Sequence, residues 1–268
     1  MKYRLLVLDI DGTLTNNAKK ITHSTREAII EAQRNGVRIV LASGRPTYGI
    51  IPLARELLMD RFGGYILAFN GGKIIEAHSM QTIYASTFPC EVVARLHSLA
   101  CESKLQLITY HDEHILTEDP DNQFIKHELF LTKMKPLKVD NITEAVDFDP
   151  DKCLIVGEGE KLIPLAERIN CCFEGEVEAY RSEPFFLEVV PPSIDKARSL
   201  AKLAQHTGIA LDEMIAVGDG FNDISMIRAA GLGIAMDNAQ DEVKECADYV
   251  TQSNENDGVA HVIETFLL

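Results

Sequence analysis

The sequence predicts an α/β protein: a doubly wound, mostly parallel, Rossmann-like core with an inserted α+β domain. Three observations predict it. Short, continuously apolar runs at 3–8, 37–42 and 65–69 alternate with helical patterns, as strands covered on both faces do. Between 84 and 189 the strand pieces become mixed and partly alternating. Beyond Pro191-Pro192 the first pattern resumes. The chain is therefore expected to divide into a core of 1–83 and 190–268 and an insert of 84–189.

In order, YRLLVL at 3–8 stops abruptly in Asp9-Ile10-Asp11-Gly12. A helix is expected from about Thr22 to Asn35, with Ser24 and Glu27 at capping-box spacing and Gly36 suited to its stop. VRIVLA at 37–42 ends in Ser43-Gly44-Arg45-Pro46, and Pro46 can open a helix reaching about Met59. YILAF at 65–69 ends in Asn70-Gly71-Gly72, a hairpin signal leading into 73–76. In the insert, helices are expected near 90–103, 121–134 and 160–169. A hairpin is expected at 105–110 and 113–117, and strands at 152–156, 173–180 and 185–190. The core then takes a helix over 194–207 and a strand at 214–217 that runs into Asp219. A helix, a strand at 232–236, a helix near 240–246, a short strand at 248–250 and a closing helix complete it.

Composition bounds the function. Of 268 residues, 46% are hydrophobic and 25% charged, enough apolar material for real cores and too much for a disordered chain. Lys plus Arg is 26 against 41 Asp plus Glu, a formal net charge of −15. That balance disfavours coating nucleic acid or an anionic membrane, since both need a basic face. A small anionic substrate stays possible, because a few local cations and a metal can reverse the field in one cleft. The first apolar run is too short for a signal sequence or a membrane span, so a cytoplasmic protein is expected. The six cysteines form no C-x-x-C pair, which gives a zinc or redox site little support. Buried free thiols are the expectation, with Cys171-Cys172 as adjacent strand positions. His111 and His114 read as part of a polar turn.

The chemistry gathers at strand ends. In open parallel sheets, ligands bind beyond the carboxyl ends of the strands, where the strand order reverses. Right-handed crossovers let the strand at 214–217 pack on the far side of the first strand. Asp9, Asp11, Ser43, Asn70 and Asp219 would then share one edge. Two acid clusters, Asp9/Asp11 and Asp219/Asp223, would repel unless a cation sits between them. All-oxygen donors without His or Cys indicate Mg²⁺ rather than Zn²⁺. Ser43 can donate to a phosphate, and Lys196 can supply a point charge. Arg45 could reach the substrate or pair with an acid. Asn70 could bind or simply turn the chain, and Ser43 could cap a helix.

Four segments carry a resemblance: D-x-D-G-T-L at 9–14, Ser-Gly-Arg at 43–45, Asp195-Lys196, and G-D-x-x-N-D at 218–223. Together they resemble the motifs of the haloacid dehalogenase superfamily. The insert after the second motif, Asn70-Gly71-Gly72 and the ADYVT…SNENDG tail resemble its Cof-type sugar-phosphate phosphatases. The resemblance implies an inserted cap that sets specificity. It implies Asp9 as nucleophile and Asp11 as general acid and base. Asp9, the Asp11 backbone carbonyl and Asp219 would hold Mg²⁺, with Asp223 orienting the ion's water. Ser43, the Gly44 amide and Lys196 would balance charge on the phosphoryl group. Asn222 would touch the phosphate or fix Lys196, and Thr13 would steady the loop. Ala197 and Asp237 stand where the family usually has glycine. The implied activity is hydrolysis of a small phosphorylated metabolite by a monomer or weak dimer. A phosphomutase shares both aspartates. A receiver module shares the acid cluster but has no insert, and dehalogenases and transport ATPases lack the second aspartate.

Overall fold

The computed structural model describes residues 2–268. Strand β1 (Leu5–Leu8) is buried throughout and leads through the Asp9 loop to helix α1 (His23–Arg34). Thr22, not Ser24, caps α1. Its hydroxyl accepts from Thr25 N at 3.2 Å and also donates to Asp257, which ties the helix start to the chain's far end. Strand β2 (Arg38–Ala42) delivers the chain to Ser43, and α2 (Thr47–Glu56) follows Pro46. The expected single helix to Met59 breaks at Leu58, which is left-handed, and α3 (Met59–Phe62) is a separate turn. Strands β3 (Tyr65–Ala68) and β4 (Lys73–Glu76) form the expected hairpin, and β5 (Thr82–Ala85) adds an edge strand not foreseen.

Next come α4 (Glu91–Glu102) and the antiparallel pair β6 (Gln106–His111) and β7 (His114–Thr117). Helix α5 (Gln123–Thr132), β8 (Lys135–Lys138) and α6 (Ile142–Ala145) follow. Strand β9 (Cys153–Val156), α7 (Gly159–Cys172), β10 (Glu178–Glu183) and β11 (Phe186–Val190) close this part. Its six strands lie in the order β10-β11-β9-β6-β7-β8, with only β7 and β8 parallel. Helices α4, α6 and α7 pack Leu96, Ile142, Leu165 and Ile169 against Leu107, Ile155 and Leu187 on one face. Burying each such side chain contributes roughly 1.5–3 kcal/mol before conformational entropy is subtracted.

Two expectations are corrected here. Helix α7 runs to Cys172, so Cys171 and Cys172 end a helix and are exposed. The buried stripe of α7 is Leu162, Leu165 and Ile169, and the two thiols fall off it. Among the six free cysteines only Cys153 is buried, where loss of water pushes its thiol up to about 12. Strand β8 and helix α6 were not foreseen. Every residue of β8 is exposed, with two lysines and Pro136, the composition of a protected sheet edge rather than an apolar run.

The chain then forms α8 (Lys196–Thr207), β12 (Met214–Gly218) and α9 (Ile224–Ala229). Strand β13 (Leu232–Ala235), α10 (Asp241–Lys244), β14 (Tyr249–Val250) and α11 (Gly258–Phe266) end it. The eight-stranded sheet runs β14-β13-β12-β1-β2-β3-β4-β5. Its first six strands are parallel, and β1 lies between β2 and β12, where the winding reverses. Leu5, Val7, Val40, Met214 and Ala216 face Leu200, Leu203 and Met226 of α8 and α9. Helices α1 and α11 pack together. Two compact units result: the chain up to Tyr84 together with Asp195 onward, and Ala85–Ile194.

Candidate active site

The site grows from the β1–β12 switch point. Beyond β1, Asp9 keeps the ladder by donating its N–H to Val217 O at 3.0 Å. The loop then closes on itself: Leu14 N donates to Asp9 O, and Thr15 donates from both N and Oγ1 to Ile10 O, at 2.9 to 3.2 Å. Gly12 has a φ of +89°, and a Cβ there would run into the Asp219 carboxylate. Glycine is thus required twice over at this position. Gly218 is similar, since a Cβ would strike Asp223.

Lys196 opens α8 behind Asp195, whose carboxylate caps the helix by accepting from Arg198 N at 3.0 Å. The lysine is only 1% exposed. Its Nζ donates to Asp9 Oδ1 at 2.7 Å, Asp223 Oδ1 at 2.6 Å and Ala42 O at 3.0 Å. These three bonds satisfy an ammonium fully. Burial opposes its charge, but Asp223 and Asp9 outweigh burial and hold its pKa above the ordinary lysine value. Asp223 uses its other oxygen to accept from Asp219 N at 3.0 Å and Gly220 N at 2.9 Å. Thr13 Oγ1 donates to Asp219 Oδ1 at 2.7 Å.

Asp9, Asp219 and Asp223 bring carboxylate oxygens within 4.8 Å of one another. One ammonium does not neutralise three such groups. Burial and then the Asp223 charge push Asp9 well above the usual carboxylate range, with Lys196 opposing. Asp219 rises to about 6, chiefly by burial, although the Thr13 hydroxyl lowers it.

Asp11 stands apart from this cluster. Arg45 grips its carboxylate with two bonds of 2.7 Å, from Nε to Oδ2 and from Nη2 to Oδ1. Lys19 adds a third at 2.8 Å. Burial alone would raise this acid, but Arg45 and Lys19 hold it below its ordinary value. Arg45 is fixed in turn, its N–H donating to Ser43 Oγ at 3.2 Å and its carbonyl accepting from Phe69 N at 3.0 Å. Of the two readings left open for Arg45, the structure favours pairing with an acid. Ser43 is buried and does not cap α2, whose cap position is Pro46. Asn70 is left-handed at a φ of 55° and accepts from Asn222 Nδ2 at 3.0 Å. Its amide also lies beside Gly44. Asp9 and Asp223, and not Asn222, are the side chains that fix Lys196.

The sequence reading missed several supports. Asn238 Nδ2 donates to Gly12 O at 2.8 Å and Asn254 Nδ2 to Thr15 O at 3.0 Å, clamping the Asp9 loop from the chain's far end. Asn238 Oδ1 also accepts from Asn254 N at 2.9 Å. An asparagine more than 200 positions away carries no local signal for such a clamp. Lys19 was missed too, because its turn holds it eight residues from Asp11 in a left-handed conformation.

The chain is similar to known proteins over nearly its whole length. The profile of the haloacid dehalogenase-like hydrolases matches residues 6–263. The chain is 48% identical to a haloacid dehalogenase-like hydrolase from Bacteroides thetaiotaomicron of known crystal structure, with a TM-score of 0.96 over 98% of this chain and 99% of that one. It is 32% identical to a 5-amino-6-(5-phospho-D-ribitylamino)uracil phosphatase of Bacillus subtilis, over 99% of this chain and 96% of the relative. A subclass IIB sugar phosphatase of the superfamily gives a TM-score of 0.80 at 28% identity, over 98% of each chain.

Proposed function

From the premise that this chain belongs to the haloacid dehalogenase-like hydrolases, and is a phosphatase, we propose that it is Mg²⁺-dependent and works through an aspartyl-phosphate on Asp9. The observation that carries this reading is the Lys196 ammonium shared between Asp9 and Asp223. It fixes Asp9 at a strand end, with one carboxylate oxygen committed to the lysine.

The residues fit the ion. The donors are all oxygen, and burial, with the neighbouring carboxylates adding to it, raises Asp9 and Asp219, a cost to their charged forms that a hard divalent cation relieves. Asp9, Asp219 and the Asp11 carbonyl would hold it. Asp223 has both oxygens engaged by Lys196 and backbone amides, which suits it to orienting rather than direct ligation. When bound, the ion supplies neutralisation of the phosphoryl oxygens.

In this reading an Asp9 oxygen attacks phosphorus, the ester P–O bond breaks, and the leaving oxygen takes a proton from Asp11. Water then attacks phosphorus, Asp11 takes up its proton, and Asp9 is released. Ser43, the Gly44 amide, Lys196 and Asn222 would stabilise the transferring group. While Arg45 and Lys19 hold it, Asp11 is a base. To act as the acid it must turn from the guanidinium and carry a proton to the leaving oxygen.

The substrate class we propose is a phosphomonoester on a polyol or sugar carbon chain. One relative's name contains a phosphoribityl group, and one structural neighbour is a sugar phosphatase. The Ala85–Ile194 unit would serve as the cap that selects the leaving group. The test is phosphate release from a panel of sugar, alditol and nucleotide phosphates, with and without Mg²⁺, together with labelling by ³²P-substrate. The wild type should release phosphate only with the ion and trap label in acid. Asp9→Asn should do neither, and label persisting in that variant would sink the covalent step.

A further inference from the structure

The Asp11 carboxylate sits in the fork of Arg45, with Nε on Oδ2 and Nη2 on Oδ1, both at 2.7 Å, and Lys19 Nζ reaches Oδ1 at 2.8 Å. Two cations thus share one anion, a local surplus of positive charge in a chain of net charge −15. Among the described residues no other acid pairs with either cation. Lys19 is held by its turn rather than free on the surface. It is left-handed at a φ of 58°, a conformation that residues with a Cβ disfavour. Lys19 N donates to Asn16 O at 2.8 Å, Lys20 N to Asn16 Oδ1 at 3.0 Å, and Asn17 N to Glu255 Oε1 at 2.6 Å. These bonds hold the strained turn, so the ammonium is aimed before any ligand arrives.

We propose that Arg45 and Lys19 form a subsite for a carboxylate on the leaving group. The preferred substrates are then phosphomonoesters of short hydroxy acids of the aldonic type rather than of neutral alditols. This inference rests on the phosphatase mechanism proposed above and narrows its substrate class. In that mechanism Asp11 turns from the guanidinium to the leaving oxygen, and its turn empties the fork. The Arg45 side chain is only 17% exposed, so water replaces the lost anion poorly.

Shape supports the carboxylate. A guanidinium fork matches a planar carboxylate with two parallel bonds, and Asp11 already occupies it in that manner. Charge supports it next. A substrate hydroxyl in the same place brings no charge, and an alditol ester leaves both cations uncompensated. Reach supports it third. A proton donor works at about 2.6–3.2 Å from its acceptor, and a rotating aspartate side chain carries its carboxylate only a few ångströms. The vacated fork therefore lies close to the leaving oxygen, within range of a carboxylate a few carbons along the same chain.

Matched pairs of the same configuration test it: 3-phosphoglycerate against glycerol 3-phosphate, and 4-phosphoerythronate against erythritol 4-phosphate. Each pair differs only in a terminal carboxylate or hydroxymethyl group. With the full chain and Mg²⁺, kcat/KM should be at least about tenfold higher for the carboxylate member. Lys19→Gln should cut that ratio at least about threefold, Lys19→Glu should bring it to one or below, and Lys19→Arg should retain it. Any effect of these variants on Asp11 itself falls on both members of a pair and divides out. A wild-type ratio of one or below overturns the proposal. A ratio that Lys19→Glu leaves unchanged overturns it too, and assigns the two cations to Asp11 or the transferred phosphoryl group alone. If no member of either pair is hydrolysed, the carbon-chain substrate class fails by itself, and calorimetric Kd values for the same pairs decide the subsite. A preference for the carboxylate member that Lys19→Glu abolishes then supports it, and equal Kd values within each pair overturn it.

Discussion

At Lys196 an ammonium only 1% exposed lies between Asp9 and Asp223, and its cost of burial is offset by charge-assisted bonds to both. Removing it leaves two buried carboxylates without the cation that balances their charge. Lys196→Ala should therefore lower turnover by roughly 10²–10³, as deleting one preorganised charge at a reacting group does. It should also cost about 3–5 kcal/mol of stability, the scale for breaking a buried pair from one side. Phosphate release by the folded variant and its denaturant midpoint check the two separately. A stability loss with unchanged turnover would reduce Lys196 to a structural residue. Arg45 shows how far a single residue can be read from its neighbours in sequence. The Ser-Gly-Arg tripeptide placed it at a strand end, but its partner Asp11 lies 34 residues away on another strand's loop. Only chain folding brings the two together, so both readings of Arg45 stayed open.

Helix α5 shows the same limit at the scale of an element. Its apolar content announced a helix near 121–134, and Gln123–Thr132 forms behind Asn122, which caps it by accepting from Phe124 N at 2.9 Å. What α5 buries was not readable. Glu128 turns inward and accepts from the Tyr110 hydroxyl at 2.7 Å, in the unit where Lys152 and Glu188 pair at 2.7 Å. Burial raises the Glu128 pKa above its ordinary 4.5, with Lys152 and the Tyr110 bond opposing and Glu188 adding to the rise. The folded state thus binds a proton that the unfolded chain releases. The resulting stabilisation is complete below pH 4.5 and is lost as pH rises through the folded-state value. Glu128→Gln cannot ionise and keeps an acceptor for Tyr110. Its stability should therefore gain on the wild type as pH rises from 4.5 toward neutrality, read by urea unfolding at a series of pH values. Parallel curves would show that Glu128 does not titrate on folding.

For the whole molecule, two units with separate cores predict unfolding that is not two-state. The Asp9–Asp219 cluster lies entirely within the unit made of both chain ends. Mg²⁺ should therefore raise only that unit's calorimetric transition, by about 2.7 kcal/mol at a hundredfold excess over Kd. A matching shift of both transitions would place the ion elsewhere. No helix among the described residues is long and apolar enough to cross a membrane. The alternation of buried strands and helices determined the doubly wound core from sequence alone, because strands covered on both faces must be apolar throughout. The strand-end motifs placed Asp9, Ser43 and Asp219 at one sheet edge for a related reason: a parallel sheet leaves those ends as its open edge. Exposed elements such as β8 escaped, since a protected edge needs no apolar pattern. Tertiary structure alone decided the pairings: Arg45 with Asp11, Asn238 with Gly12, and Glu128 with Tyr110. These partners are distant in the chain. Hydrogen bonds and ion pairs act over a few ångströms of space, which local sequence does not encode.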